Sequence, residues 1–183
     1  MKKQLVSYFV ALLLSGSSVF AQNPIVNTAM VTPLNLVEEQ TGTGSFSFYC
    51  EDAALPMGGI LLEMNITYSN VTPTSPPSGA GAPYFTWTYL PLFNVYRGVQ
   101  NQDIPWSGFP PTAMTINVAF DVNAGTAGSQ GGISISLDNV VSPPNLLDDD
   151  NINAYNPIGP ALPVELISFT GRNIEQNNLL EWS

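Results

Sequence analysis

The residues best suited to chemistry in this sequence form an acidic run near its C-terminal end. Asp148, Asp149, Asp150, Asn151 and Asn153 supply carboxylate and amide oxygens close together. Calcium prefers such oxygen ligands, held on a flexible loop. A calcium site between two modules is therefore one hypothesis for this run, and a solvated acidic linker is the alternative.

The run does not form an EF-hand. Asp149, Asn151 and Asn153 match the first three alternating ligand positions of such a loop, but Ala154 replaces the required glycine. Pro160 falls where the bidentate glutamate belongs. We therefore expect at most a looser calcium site of the weak extracellular type, and no other cofactor is required.

Aromatic side chains are the second candidate, because they can stack on sugar rings. Trp106 and Phe109 lie in a Pro/Gly-rich stretch and are the candidate carbohydrate-binding residues. Phe85, Trp87 and Tyr89 instead alternate with threonines, a pattern typical of the buried face of a strand. We therefore assign Trp87 to the core and leave exposure of Trp106 open.

The usual catalytic side chains are missing. The sequence has no His, and its two Lys residues, Lys2 and Lys3, lie in the first three positions. Ser-His-Asp and Cys-His sites cannot be built without histidine. The neighbouring acids Glu38 and Glu39 would point to opposite faces of a strand, so they do not form an acid/base pair. The sequence predicts no enzyme, and a carboxylate-only glycoside hydrolase is kept as the second alternative.

The elements that must position these residues are β-strands. Apolar and polar residues alternate in several runs, which indicates strands with one face in a core and one in water. Prolines and glycines separate these runs, and residues 139–160 are predicted to form a loop. The fold class is predicted to be all-β, an immunoglobulin-like antiparallel β-sandwich. The predicted strands are Ile25–Val31, Leu34–Val37, Ser45–Cys50, Ile60–Tyr68, Tyr84–Tyr89, Phe93–Val99, Met114–Val122 and Ile133–Asp138.

Residues 1–21 are predicted to be a signal peptide. Lys2 and Lys3 precede an apolar run from position 5 to 14, and Ala21 ends a suitable cleavage site. The run is too short for a permanent membrane helix, which needs about 20 residues. The protein is therefore expected to be secreted, without a membrane span in the mature chain.

The remaining charge is strongly acidic. Arg97 and Arg172 are the bases left after the signal, against 14 acidic residues. Such a surface repels phosphate backbones, so nucleic acid is disfavoured as a partner, and a surface protein or a glycan is expected instead. The lone Cys50 is assigned to the core as a small hydrophobic residue, without an intramolecular disulfide.

The C-terminal segment has a distinctive pattern. Residues Leu162–Gly171, a polar turn from Arg172 to Asn178, and Leu179–Ser183 read as two short strands. This junction resembles the start of the fibronectin-III-like module that precedes the C-terminal sorting domain in secreted and cell-surface proteins of Bacteroidetes. The resemblance implies export by type IX secretion, with the secretion machinery as a partner. The preceding domain resembles repeat domains of bacterial surface proteins.

These observations predict three parts. They are the signal peptide at 1–21, the sandwich at 22–158, and a linker with the first strands of a truncated module at 159–183. Two strands do not fold alone, so the chain is expected to be the front portion of a longer protein. The predicted function is a non-catalytic structural or adhesion module of an exported multi-domain protein, attached to the cell surface. The first alternative is a carbohydrate-binding accessory module of a secreted polysaccharide-degrading enzyme.

Overall fold

The computed structural model describes residues 24–50, 54–58, 61–108, 112–138, 150–161, 169–174 and 177–182. Strands dominate these residues, and the helical segment among them is one 3₁₀ turn, Ala82–Tyr84. The prediction of an all-β fold is confirmed. The strands are β1 (Pro24–Thr32), β2 (Leu36–Val37), β3 (Thr41–Cys50), β4 (Glu63–Ser69), β5 (Val71–Pro73), β6 (Phe85–Leu90), β7 (Val95–Gln100), β8 (Met114–Val122), β9 (Gln130–Asp138), β10 (Asn151–Gly159), β11 (Phe169–Ile174) and β12 (Asn177–Trp182).

Strands β1 to β10 form two sheets. The first has the order β1-β3-β8-β5 and the second the order β2-β10-β9-β4-β7-β6. Neighbours pair antiparallel, except that β2 runs parallel to β10. The inner faces of both sheets contribute to one apolar core, so the predicted antiparallel β-sandwich is confirmed.

The core follows from the alternation in the sequence. In β3 and β8 every second residue is buried, and the opposite face carries Thr, Ser and Asn. Burying a Val, Leu, Ile, Phe or Met side chain contributes about 1.5–3 kcal/mol to the free energy of folding relative to leaving it exposed. The largest fully buried side chains are Phe46, Phe48, Phe120, Leu36, Leu62, Met64, Ile66, Ile104, Ile116, Ile133, Ile135 and Val71.

The predicted loop at 139–160 is wrong for its second half. Asn151–Gly159 forms β10, which lies between β2 and β9 in the larger sheet. Its Asn and Pro residues have low strand propensity, but its even-numbered side chains, among them Ile152 and Ile158, turn toward the core. Tertiary packing therefore overrides the local composition.

The C-terminal segment contains two paired strands, β11 and β12, which form an antiparallel hairpin. Residues 162–168 of the first predicted strand lie outside the described residues. The polar turn predicted from Arg172 to Asn178 is too long, because Arg172 pairs with Leu179 and Ile174 pairs with Asn177. Arg172, Asn173, Asn177 and Asn178 therefore belong to the paired strands of this hairpin.

The sandwich has two ends, called the Trp106 end and, after the hairpin of β6 and β7, the hairpin end. The Trp106 end includes Pro24, Cys50 and the segment 101–108, because Pro24 pairs with Cys50 and Ser107 bonds to Cys50. The hairpin end includes the β6–β7 turn, Pro91–Asn94, and Gly159 at the end of β10. Strands β1 and β10, of nine residues each, both run from the Trp106 end to the hairpin end, a span of about 30 Å.

The predicted signal peptide lies outside the described residues. Among the described residues, no helix is long and apolar enough to span a bilayer.

Candidate interaction sites

Trp106 projects from the loop that follows β7, and 53% of its surface is exposed. The loop is anchored before and after it. The N–H groups of Ile104 and Leu55 each donate to the carbonyl of the other at 2.8 Å. Ser107 donates its N–H to the Cys50 carbonyl at 3.2 Å and accepts the Cys50 N–H on Oγ at 3.1 Å. The indole is therefore presented from a fixed backbone.

A buried amide ties this loop to the rest of the end. Gln100, the last residue of β7, is 2% exposed. Its Oε1 accepts the Leu62 N–H at 3.2 Å, and its Nε2 donates to the carbonyls of Leu55 and Gln102 at 3.0 and 3.1 Å. Sequence reasoning missed this residue. Its inward position follows from the β7 alternation of Tyr96, Gly98 and Gln100.

A second exposed apolar side chain lies on the segment around Leu55, which pairs with Ile104. Met57 is half-exposed, and its N–H donates to Asp103 Oδ1 at 2.5 Å. Phe109, the other predicted sugar-stacking residue, lies outside the described residues. The described part of the predicted stacking site is therefore Trp106.

Cys50 lies at the core side of the same end and is 1% exposed. Burial raises the pKa of its thiol from 9.0 to about 12, so the thiol remains neutral at physiological pH. Its assignment to the core is confirmed. A neutral buried thiol is a poor nucleophile, because the thiolate is the reactive form.

The acidic run meets the sandwich at the start of β10. The Asp150 carbonyl accepts the Leu137 N–H at 2.8 Å, and the exposed Asn151 and Asn153 lie opposite Ser136 and Ser134 on the outer face of the larger sheet. Asp148 and Asp149 lie outside the described residues. The predicted calcium site therefore stays a prediction, with its two asparagines placed on a strand instead of a loop.

In the part of the chain that the structure describes, no group of three or more His, Cys, Asp or Glu side chains is arranged to hold a metal ion. Carboxylates on the outer face of the larger sheet instead bind other side chains. Glu63 accepts Arg97 Nε and Nη2 at 2.8 and 2.5 Å, and Asp138 accepts Asn65 Nδ2 at 2.6 Å. The hydrogen bond from Arg97 to Glu63, with their charge attraction, raises the pKa of Arg97 further.

Two of the most exposed large apolar side chains lie at the hairpin end. Leu92 is 92% and Phe93 72% exposed, both in the β6–β7 turn. The Phe93 N–H donates to the Leu90 carbonyl at 3.1 Å, which closes the turn. Sequence reasoning placed Phe93 in a strand and did not single out Leu92. The flanking Pro91 and Asn94 were the available turn signals.

Asn94 holds this turn against the sandwich. Its backbone is left-handed, with a φ of 52°, a conformation that asparagine tolerates better than most residues. Its Nδ2 donates to the carbonyls of Tyr68 and Val71 at 3.0 and 2.7 Å. Its Oδ1 accepts the Tyr89 hydroxyl at 2.8 Å. The apolar tip is therefore fixed by one polar side chain.

A carboxylate also binds backbone at the hairpin end. Glu38 Oε1 accepts the Ala127 N–H at 2.7 Å. This hydrogen bond, with further backbone N–H groups nearby, lowers the pKa of Glu38. Glu38 therefore joins the loop after β2 to the loop after β8.

The aromatic row of β6 belongs to the sandwich rather than to an open platform. Phe85 contacts Phe48, with ring centroids 5.6 Å apart, and Trp87 Nε1 donates to the Ala82 carbonyl at 3.0 Å. Trp87 covers Gly98, where a Cβ would come within 2.6 Å of the indole. The assignment of Trp87 to the core is confirmed, since its side chain packs against the core while remaining partly exposed.

No family model matches the chain, and no curated protein matches it in sequence. Among solved structures, a protein described as membrane-anchored from Corynebacterium diphtheriae shares 11% identity at a TM-score of 0.42, covering 82% of this chain and 38% of its own.

Two further structures align over most of their own length. The third cohesin of ScaC from Acetivibrio cellulolyticus, solved with the ScaB dockerin, shares 13% identity at a TM-score of 0.38, covering 74% of this chain and 100% of the cohesin. AvmM, which catalyses macrocyclization in alchivemycin A biosynthesis, shares 12% identity at a TM-score of 0.38, covering 80% of this chain and 92% of AvmM. Because all three TM-scores lie below 0.5, these similarities support no argument about function.

Proposed function

We propose that this protein is a non-catalytic structural or adhesion module of a larger exported cell-surface protein. The observation that carries the proposal is the path of the chain. It comes into the sandwich at Pro24, at the Trp106 end, and leaves it at Gly159, at the hairpin end. Modules that are joined end to end need this arrangement, because each must pass the chain on at its far side.

The first and last strands of this path are coupled to each other. Asn156 on β10 donates Nδ2 to the carbonyls of Val31 and Pro33 at 2.8 and 2.9 Å, at the end of β1. Next to it, Ile158 and Gly159 pair with Leu36 and Val37 of β2. Tension along the chain would act parallel to β1 and β10. Such tension would load the hydrogen bonds from β1 to β3 and from β10 to β2 and β9 in shear at the same time. The reason is that those bonds lie perpendicular to the strands.

Single-molecule pulling through the residues that flank the sandwich tests this proposal. We expect Asn156→Ala to lower the unfolding force, because it removes both bonds between β10 and the end of β1. The free energy of unfolding should fall by about 1–3 kcal/mol. Asn153→Ala is the matched control on the exposed face of the same strand. Equal unfolding forces in both variants, or no measurable resistance in the unmutated sandwich, would argue against a structural role.

The export route is part of the same proposal. The C-terminal resemblance supports type IX secretion in a member of the Bacteroidetes, with cleavage of residues 1–21 on the way. Expression of the full-length protein in a host with and without a functional type IX translocon tests it. We expect this protein on the cell surface only in the host with the functional translocon. Equal amounts on the surface of both hosts would contradict this route.

A second candidate function is carbohydrate binding at the Trp106 end. Exposure of Trp106 on an anchored loop supports it, since stacking on sugar rings needs an accessible and immobile aromatic face. Glycan-array binding that Trp106→Ala abolishes, while Leu92→Ser at the opposite end retains it, would favour this function. Absence of binding by the unmutated protein would leave the structural proposal in place and remove this one.

A further inference from the structure

Among the strands that the structure describes, the two sheets of the sandwich have four edges, and three of them are protected against pairing with another strand. β1 contains a register break between Asn27 and Met30, with Thr28 at a φ of 50°. β5 has three residues and ends in Pro73, and β2 has only two. Irregular backbone, proline and shortness are the usual means by which proteins block edge-to-edge association.

The fourth edge, β6, has none of these features. Its six residues, Phe85–Leu90, contain no charge and no proline, and its register with β7 is unbroken. Threonines and aromatic residues alternate along it, which is a composition of high strand propensity. A regular, uncharged edge of this length is an open template for another strand.

Backbone groups of β6 face this open edge. The Asn101 N–H donates to the Tyr84 carbonyl at 3.0 Å, one step beyond the Phe85–Gln100 pair. Because bonded and non-bonded pairs alternate in an antiparallel ladder, the even-numbered residues of β6 bond to β7. The N–H and C=O groups of Trp87 and Tyr89 therefore point away from the sheet. Within the described residues, β6 pairs with β7 alone.

We propose that β6 pairs with β6 of a second copy of this chain, so that the larger sheets of two sandwiches become continuous. The charge distribution favours this occupant. The chain carries a net charge of −10, yet residues 81–96 contain no charged side chain. Along this strip two strongly acidic copies can meet without setting like charges opposite each other. This inference goes beyond the structural role proposed above and does not depend on it.

Antiparallel pairing of two identical strands restricts the register. Residues directly opposite each other must face the same side, so the aromatic residues of one copy must oppose aromatic residues of the other. A two-fold axis at Trp87 meets this condition. It pairs Phe85 with Tyr89 and Thr86 with Thr88 across the dimer. It also places the exposed tip at Leu92 beside the start of the second copy's β6.

The threonine pairing gives a direct test by sedimentation velocity over a concentration series. We expect the processed chain to dimerise as concentration rises. Thr86→Glu with Thr88→Glu sets two acids opposite each other across the axis and should abolish the dimer. Thr86→Lys with Thr88→Glu differs only in the sign at position 86, sets Lys opposite Glu, and should restore it.

Matched controls separate this interface from other effects. Thr43→Glu with Thr115→Glu adds the same charge on exposed positions of the other sheet and should leave the dimer intact. Circular dichroism should show the same fold in every variant. A monomer at all concentrations overturns the proposal, and so does a dimer that survives Thr86→Glu with Thr88→Glu. Loss of the dimer in the Thr43/Thr115 control, or failure of Thr86→Lys to restore it, also overturns it.

Discussion

The two ends of the sandwich both hold apolar side chains in water, but they fix them by different means. At the Trp106 end, the buried Gln100 amide joins three backbone groups from separate segments. At the hairpin end, the partly exposed Asn94 pins one turn to the strands beside it. The first arrangement is part of the core, and the second is attached to its rim.

The Trp106 end therefore affects mainly the stability of the fold, whereas the hairpin end affects mainly how its exposed apolar side chains are held. Losing the Gln100 amide would leave the buried Leu62 N–H unpaired, and the cost would fall on the stability of the whole fold. Losing the Asn94 side chain would release Leu92 and Phe93 while leaving the core closed. The hairpin end can therefore vary its exposed tip at lower cost than the Trp106 end can vary its loop.

The largest effect is expected from Gln100→Met. The substitution keeps the side-chain volume but leaves the Leu62 N–H without a partner and removes the bonds to the Leu55 and Gln102 carbonyls. We therefore expect a loss of about 2–4 kcal/mol in the free energy of unfolding. Urea denaturation measures it. Gln102→Met, at an exposed position of the same loop, is the control and should cost much less. Equal losses would show that the buried amide is not what organises this end.

Asn94→Ala should cost less, about 1–3 kcal/mol, because its hydrogen bonds are at the rim. Asn94→Gly separates the loss of the side-chain hydrogen bonds from backbone strain. Glycine accepts the left-handed backbone but does not replace the side-chain bonds. Hydrogen exchange should rise at the β6–β7 turn in both variants and stay unchanged at Ile104. Increased exchange at both ends would contradict the independence of the two regions.

Alkaline pH should weaken the Trp106 end first. The Cys50 thiol ionises near its ordinary pKa of 9.0 in the unfolded chain but only near 12 in the folded one. Stability therefore falls as pH rises through this window, by at most about 1.4 kcal/mol per pH unit. Burial also raises the pKa of Tyr68, which adds to the loss above its ordinary value of 10.0. Cys50→Ala should flatten the decline between pH 9 and 10, and an unchanged slope would exclude the thiol as its cause.

Among these predictions, we expect the smallest change in stability from lowering the pH, and it should arise at the hairpin end. The pKa of Glu38 is lowered in the folded state, so its contribution is present above the ordinary value of 4.5 and is lost as pH falls below it. Glu38→Gln should reduce the acid dependence of the melting temperature below pH 4.5. Glu39→Gln is the neighbouring control, and equal changes in both variants would assign the effect to net charge instead of the Ala127 bond.

Much of the sandwich could be predicted from period-two alternation, because burial of one strand face leaves that pattern directly in the sequence. Residues 45–50 and 114–122 are clear cases. β10 escaped because its Asn and Pro residues hide an alternation that only the neighbouring strands explain. Gln100 escaped for a related reason, since the partners of a buried amide come from segments distant in sequence.

The candidate sites were only partly predictable. The loop position of Trp106 suggested a candidate for exposure, but its anchoring by Ser107 and Cys50 depends on contacts 57 residues apart. The open edge at β6 could not be recognised before the strand order was known. An edge is a property of the sheet, and the sequence of β6 alone resembles that of a central strand.

The central claim, that the chain passes force from one end of the sandwich to the other, is tested most directly by changing the pulling direction. One geometry uses the residues that flank Pro24 and Gly159. The other uses cysteines introduced at the exposed Thr43 and Thr88 on the two outer faces, since native Cys50 is buried. We predict a clearly higher unfolding force along the chain path, where the strands are loaded parallel to their axes. An equal or lower force along that path would contradict the account.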